Sequence, residues 1–146
     1  MKRSVEMALV VVMAASLNAA ALKAPLGQMS PINPSQVTSF MGTWVLTMTN
    51  PEGARETVRI WNENGAVKAS VQSGRYPPIN VTGIMKDEDV LVLTLTRFEN
   101  GQRDRAVIAL TLEGDTMKMA QMLEFSQTIK RGSGKKEASL TPAAGR

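Results

Sequence analysis

Glu56 and Asp104 fall on the inward phase of runs that alternate apolar and polar residues, near the ends of those runs. Two carboxylates so placed could work as a general acid and base. Asp104 has a simpler partner, because it lies opposite Arg97 across a two-residue turn, and that register predicts an ordinary ion pair. The chain has no His and no Cys. This excludes the usual nitrogen and sulfur metal ligands, a thiol nucleophile and every His-based acid–base arrangement. No phosphate-cradling loop, nucleophile elbow or calcium loop is present. An enzyme would have to rest on Glu56 and Asp104, so the expectation is a protein that is not an enzyme and uses neither metal nor cofactor.

The elements that position these groups are strands. Asn64-Gly65, Asn100-Gly101 and Gly114-Asp115 each separate alternating runs, and such dipeptides supply the positive-φ positions of two-residue hairpin turns. Eight strands are predicted, at 43–49, 55–62, 66–72, 79–85, 90–98, 103–112, 116–122 and 125–131. The turn at 100–101 sets Leu95 opposite Ala106, Leu93 opposite Ile108 and Leu91 opposite Leu110. The turn at 64–65 sets Ile60 opposite Ala69 and Val58 opposite Val71, with Trp61 and Lys68 as an outer cation–π pair. The turn at 114–115 sets Leu112 opposite Met117 and Leu110 opposite Met119. All three agree on one apolar face, whereas the turn at 86–89 leaves open whether Ile84 or Met85 points inward. No amphipathic helix is available to cover that face. Closing the sheet on itself hides it and removes both edges, which predicts an all-β, eight-stranded antiparallel up-and-down barrel; two packed four-stranded sheets are the competing architecture.

Lys2 and Arg3, an apolar stretch from Met7 to Leu17 and then Ala19-Ala20-Ala21 follow the order of a secretory signal peptide. Cleavage is expected near Ala21, with export to the bacterial periplasm or beyond and no stable membrane insertion afterwards, since the apolar run is shorter than the roughly 20 residues that span a bilayer. The organisation expected is a signal peptide at 1–21, an extended Pro-containing linker at 22–39, the barrel at 40–131 and a flexible basic tail at 132–146, with no order in the segments on either side of the barrel. Lys130, Arg131, Lys135 and Lys136 form one basic cluster. With 17 basic and 13 acidic residues and 4% aromatics, the chain does not read as a nucleic-acid binder. Without disulfides, stability must come from sheet closure and packing.

At Phe40-Met41-Gly42-Thr43-Trp44 the chain resembles the opening strand of the calycin group of lipocalins, fatty-acid-binding proteins and avidins, where Gly-x-Trp begins a β-barrel. The resemblance implies a barrel with Trp44 at its closed end and a basic residue of the last strand packed across it, Arg131 by position. It does not extend to the helical lid of fatty-acid-binding proteins or to the aromatic contacts of avidins, so it carries architecture and not ligand.

In such a meander Glu56, Ser73, Arg97, Asp104 and Gln121 are inward at one end, and Trp44, Val67, Leu91, Leu112 and Met117 at the other. A polar mouth above an apolar floor suits a small apolar or amphiphilic, lipid-like ligand. Trp44, Leu93, Ile108 and Leu110 would line the interior, while Arg75, Tyr76, Arg97 and Gln121 would meet a head group. The loop Ser73-Gly74-Arg75-Tyr76-Pro77-Pro78 is the candidate lid. Two readings stay open: a hollow barrel of this kind, and a filled core that acts as an interaction module through its outer face. On that face Val92, Val107 and Ala109, with Val45 and Val90, form an apolar stripe suited to a homodimer contact or to cover by the linker.

Overall fold

Asn64 and Gly65 adopt φ of 53° and 84°, both in the left-handed region that a tight hairpin needs, and the Asn62 side-chain oxygen accepts from the Gly65 amide at 2.9 Å. The computed structural model describes residues 32–99 and 101–138. The expected leader, the first part of the linker and the last residues of the tail lie outside the described residues. What is described is an all-β antiparallel sheet of nine strands: β1 (Gly42–Thr49), β2 (Glu52–Glu63), β3 (Ala66–Ser73), β4 (Ile79–Asn80), β5 (Gly83–Asp87), β6 (Val90–Glu99), β7 (Gln102–Glu113), β8 (Thr116–Leu123) and β9 (Thr128–Lys136). Their order is β4-β3-β2-β1-β9-β8-β7-β6-β5, so the end strands of the sheet are consecutive in the chain.

Those end strands explain why the count is nine and not eight. The segment expected as one strand at 79–85 pairs first with β3, through Asn80 and Ile79 opposite Ser70 and Val71, and then with β6 from Gly83 to Asp87. At the break the Val81 amide donates to Ala69 on β3, at 2.9 Å, and the Thr82 amide to Thr94 on β6, at 2.8 Å. One bent segment thus serves both edges and closes the up-and-down barrel.

The predicted registers hold. Leu93 faces Ile108 and Leu91 faces Leu110, Ile60 faces Ala69 and Val58 faces Val71, and Leu112 faces Met117. At the turn left open, Ile84 sits opposite Leu93 and packs against the core. Leu46, Leu91, Leu93, Leu95, Ile108, Leu110 and Leu123 have no exposed surface. Full burial of such a side chain is worth about 1.5–3 kcal/mol, so this core is the main source of stabilisation in a chain that has no cysteine.

Three boundaries differ from expectation. The linker expected through residue 39 contains a 3-10 helix, Pro34–Phe40, capped by Asn33 in a reciprocal arrangement with Gln36. It buries Val37 and Phe40 in the core, so apolar burial overrides a composition that reads as loop. The last strand starts later than expected and runs to Lys136, five residues into the predicted tail. Gly132 and Gly134 sit on its inner side opposite Met119 and Met117 and against β1 at Met48 and Leu46. A Cβ on Gly134 would overlap the Val45 carbonyl oxygen, and one on Gly132 would press on Met48 Sδ. These glycines mark close strand approach, not flexibility.

The outer face differs too. Val92 and Val107 are only 5% and 6% exposed in the single chain and Ala109 is half-buried. In register they neighbour Met85 and Met122. Where an exposed valine stripe is expected, Val92 and Val107 are thus nearly covered within the single chain, while Val45, Val90 and Ala109 stay half-buried. The cation over Trp61 is Arg59, with its Cζ 5.1 Å from the ring centre, in place of the cross-strand Lys68.

Candidate functional site at the barrel mouth

The loops β1–β2, β3–β4, β6–β7 and β8–β9 meet at one end. There β2 presents Glu56, β3 Ser73, β6 Arg97 and β8 Gln121. Arg97 crosses the barrel, and its Nη2 donates to the Glu56 carboxylate at 3.1 and 3.2 Å and to Gln121 Oε1 at 3.0 Å. Its Nη1 donates to Ser73 Oγ, which donates in turn to Glu56 Oε2 at 2.9 Å. The ion pair is almost fully enclosed, with side-chain exposures of 7% and 6%. Two donors within it, Arg97 Nε and Gln121 Nε2, have no partner. A buried network so connected fixes its members strongly, and an unsatisfied donor in it is costly.

Asp104 does not join this network, which corrects the ion pair expected with Arg97. The two are cross-strand partners, but the Asp104 carboxylate accepts from the Phe125 amide at 2.8 Å and from the Ser126 amide and hydroxyl at 3.3 and 3.2 Å. The Phe125 amide does most to hold the Asp104 carboxyl below its ordinary range, against the opposing effect of burial; the Ser126 donors add to it. Asp104 therefore anchors the β8–β9 loop, and Glu56 and Asp104 are engaged separately. Among the described residues no three acidic side chains gather where a metal could bind.

Beside the network lies a half-open cleft of about 760 Å³. One wall comes from Pro51 and the start of β2, with Ala54 and Arg55, and the other from the β3–β4 loop, with Tyr76 and Pro77, and from Ile79 of β4. Arg97 and Glu56 form its base, with Phe98 and Lys130 at the side.

The residues singled out in the sequence separate into three groups. Tyr76 and Arg97 line the cleft, and Arg75 is exposed in the same loop without lining it. Gln121 is held beneath Arg97. Leu93, Ile108, Leu110 and Gln121 have no exposed surface, so their side chains are packed against neighbours and not open to the cleft. The cleft found among the described residues is at the mouth.

Trp44 is at the opposite end, 3% exposed, with Nε1 donating to the Phe40 carbonyl at 2.9 Å. The cation across it is Lys136, 5.1 Å from the ring centre, and not Arg131, because β9 runs further along the barrel than expected. The predicted basic cluster is thereby split: Lys130 is at the mouth, whereas Lys136 covers Trp44 and Lys135 pairs with Asp115 at 3.3 Å. Sequence reasoning missed Arg55, Ile79, Phe98 and Lys130. Their one signal was proximity to the Pro-rich loop or to the polar end of a strand.

No family model matches the chain, and no curated protein matches it. Among solved structures it is similar to a secretory abundant heat soluble protein from Ramazzottius varieornatus, with a TM-score of 0.42 and 12% identity over 68% of this chain and 96% of that one. It is also similar to fatty-acid-binding protein 1 of Echinococcus granulosus, with a TM-score of 0.40 and 14% identity over 69% of this chain and 99% of that one. Likeness this slight carries nothing about a ligand.

Proposed function

We propose that this is a non-enzymatic binding protein whose mouth cleft takes a small amphiphile with an apolar body and an anionic head group. The observation that carries the reading is the cleft itself. At about 760 Å³ it is of ligand size, with Met48, Tyr76, Ile79 and Phe98 for an apolar body. Its lining has three basic side chains, Arg55, Arg97 and Lys130, against one carboxylate, Glu56. The excess of positive charge at a partly enclosed surface favours an anionic head group. The commitment of Glu56 to Arg97 and of Asp104 to a loop supports binding over acid–base chemistry.

A titration with anilinonaphthalene sulfonate, competed by dodecanoate, tests this. Saturable binding at one site is expected, weakened about tenfold by Ile79→Asp or Arg55→Glu, in line with loss of apolar burial or of a charge contact. Equal affinity in both variants would place the ligand elsewhere and end the proposal. Export through the leader at 1–21 belongs to the same proposal. Its check is the N-terminus of protein recovered from the periplasm of an expressing bacterium: a chain starting after Ala21 supports it, and an uncleaved one overturns it.

A further inference from the structure

Among the described residues the large hydrophobic side chains that stand exposed are Tyr76, Phe98, Phe125 and Ile129, at 76%, 68%, 70% and 50%. All four are at the mouth. Tyr76 is in the β3–β4 loop, Phe98 near the end of β6, Phe125 in the β8–β9 loop and Ile129 at the start of β9. Three separate segments thus bring apolar tips to one rim, and the floor has none of comparable exposure. Phe125 is held out deliberately, since its own backbone amide is tied to Asp104 at 2.8 Å while its ring stays in water.

Charge follows the same axis. Exposed Arg55, Arg75, Arg103 and Arg131 lie toward the mouth, with Arg103 Cζ 5.5 Å from the centre of the Phe98 ring. Arg105 and Glu124 cancel there as a pair at 2.8 Å, and Glu52 at the start of β2 is an exposed carboxylate at the same end. The floor turns carry exposed Asp87, Glu88, Asp89, Glu113 and Asp115, offset by Lys86 and by the pairing of Glu113 with Lys118 and of Asp115 with Lys135.

We propose that the mouth rim docks on an anionic lipid bilayer, with the aromatic tips in the headgroup region and the arginines against lipid phosphates. Aromatic side chains favour the membrane interface, and basic groups near an anionic leaflet add attraction that salt screens. The exposed arginines at the mouth orient the barrel with that end toward the lipid. This docking stands apart from the cleft reading, because Phe125, Ile129 and Arg131 do not line the cleft.

The full chain is floated with vesicles of phosphatidylcholine, with and without about one-third phosphatidylglycerol, at low and high salt. Phe125→Ser combined with Ile129→Ser should lower partitioning onto the anionic vesicles about tenfold, with cooperative unfolding and sulfonate binding in the cleft unchanged. The leader is present in every form compared, so the difference reports the rim. In a second measurement, brominated lipid should quench Phe125→Trp strongly and the native Trp44 and Trp61, both toward the floor, hardly at all. Equal partitioning of wild type and double variant, or no added quenching in Phe125→Trp, overturns docking. A concentration-dependent dimer lost in the double variant, with vesicle binding unchanged, would also overturn it and give the patch to a second copy of the chain.

Discussion

At the floor, turns of two residues join β2 to β3, β5 to β6 and β7 to β8, Phe40 and Trp44 form a buried plug whose indole nitrogen is satisfied, and the Lys136 ammonium lies over the Trp44 ring. At the mouth, two of the four loops are longer, the inward side chains are charged or polar, and two enclosed donors are left without partners. The floor spends its residues on exclusion of water, whereas the mouth keeps polar groups in a restrained state that a dry core would not tolerate. The contrast locates function by energetics: groups that cost stability where they stand are the ones to examine for binding.

The contrast can be broken most severely at the seam. Gly134→Ala places a methyl group against the β1 backbone, and β9 must leave β1; a loss of about 5 kcal/mol, with no cooperative unfolding transition in denaturant, is expected. Trp44→Ala empties the floor plug and should cost about 3–4 kcal/mol, read as a shift of the urea midpoint. At the mouth, Arg97→Met strands the Glu56 carboxylate and should cost about 3 kcal/mol. Combining it with Glu56→Met should return most of that, because replacing a buried pair outright is often close to neutral. If the double variant stays as unstable as the single one, the network holds the fold and the division between the two ends is wrong.

A smaller effect separates the ends by pH. Since the folded Asp104 carboxyl titrates below its unfolded value near 4, its contribution to stability is complete above about pH 5 and is lost as the pH falls through the unfolded and then the folded value. Asp104→Asn should flatten the acid limb of melting temperature against pH and leave the neutral plateau with a constant offset. Least of all, Lys118→Ala removes an exposed floor pair with Glu113 (2.9 Å, side-chain exposures 53% and 64%) and should change stability by less than about 0.5 kcal/mol.

How legible each end was follows from the period of its side chains. Alternation with glycine turns sets register locally, so Leu93 opposite Ile108 and Gln121 opposite Ile108 could be read without a structure. Parity also carried Glu56, Ser73, Arg97 and Gln121 to one end. What it could not carry was which of two facing groups a long side chain would choose. Arg97 reaches past its cross-strand neighbour Asp104 to Glu56 on another strand, and that choice depends on three-dimensional closure. Gly132 and Gly134 misled for a related reason: in one dimension Gly-Ser-Gly has the composition of a tail, and only the approach of β1 reveals why no side chain fits. The capped turn at Pro34–Phe40 was lost because it has just two buried residues, too few to register as a periodic element.

Between β3 and β6 the wall hangs on Ile79 and Asn80, which make the shortest ladder in the sheet, and Ile79 also faces the cleft. Every other junction around the circumference is held along five or more consecutive positions. The zipper's shortest stretch of teeth therefore adjoins the pocket. Amide exchange should open that panel ahead of the remaining staves, giving a bulky guest a way to widen its berth while the sealed bottom stays shut.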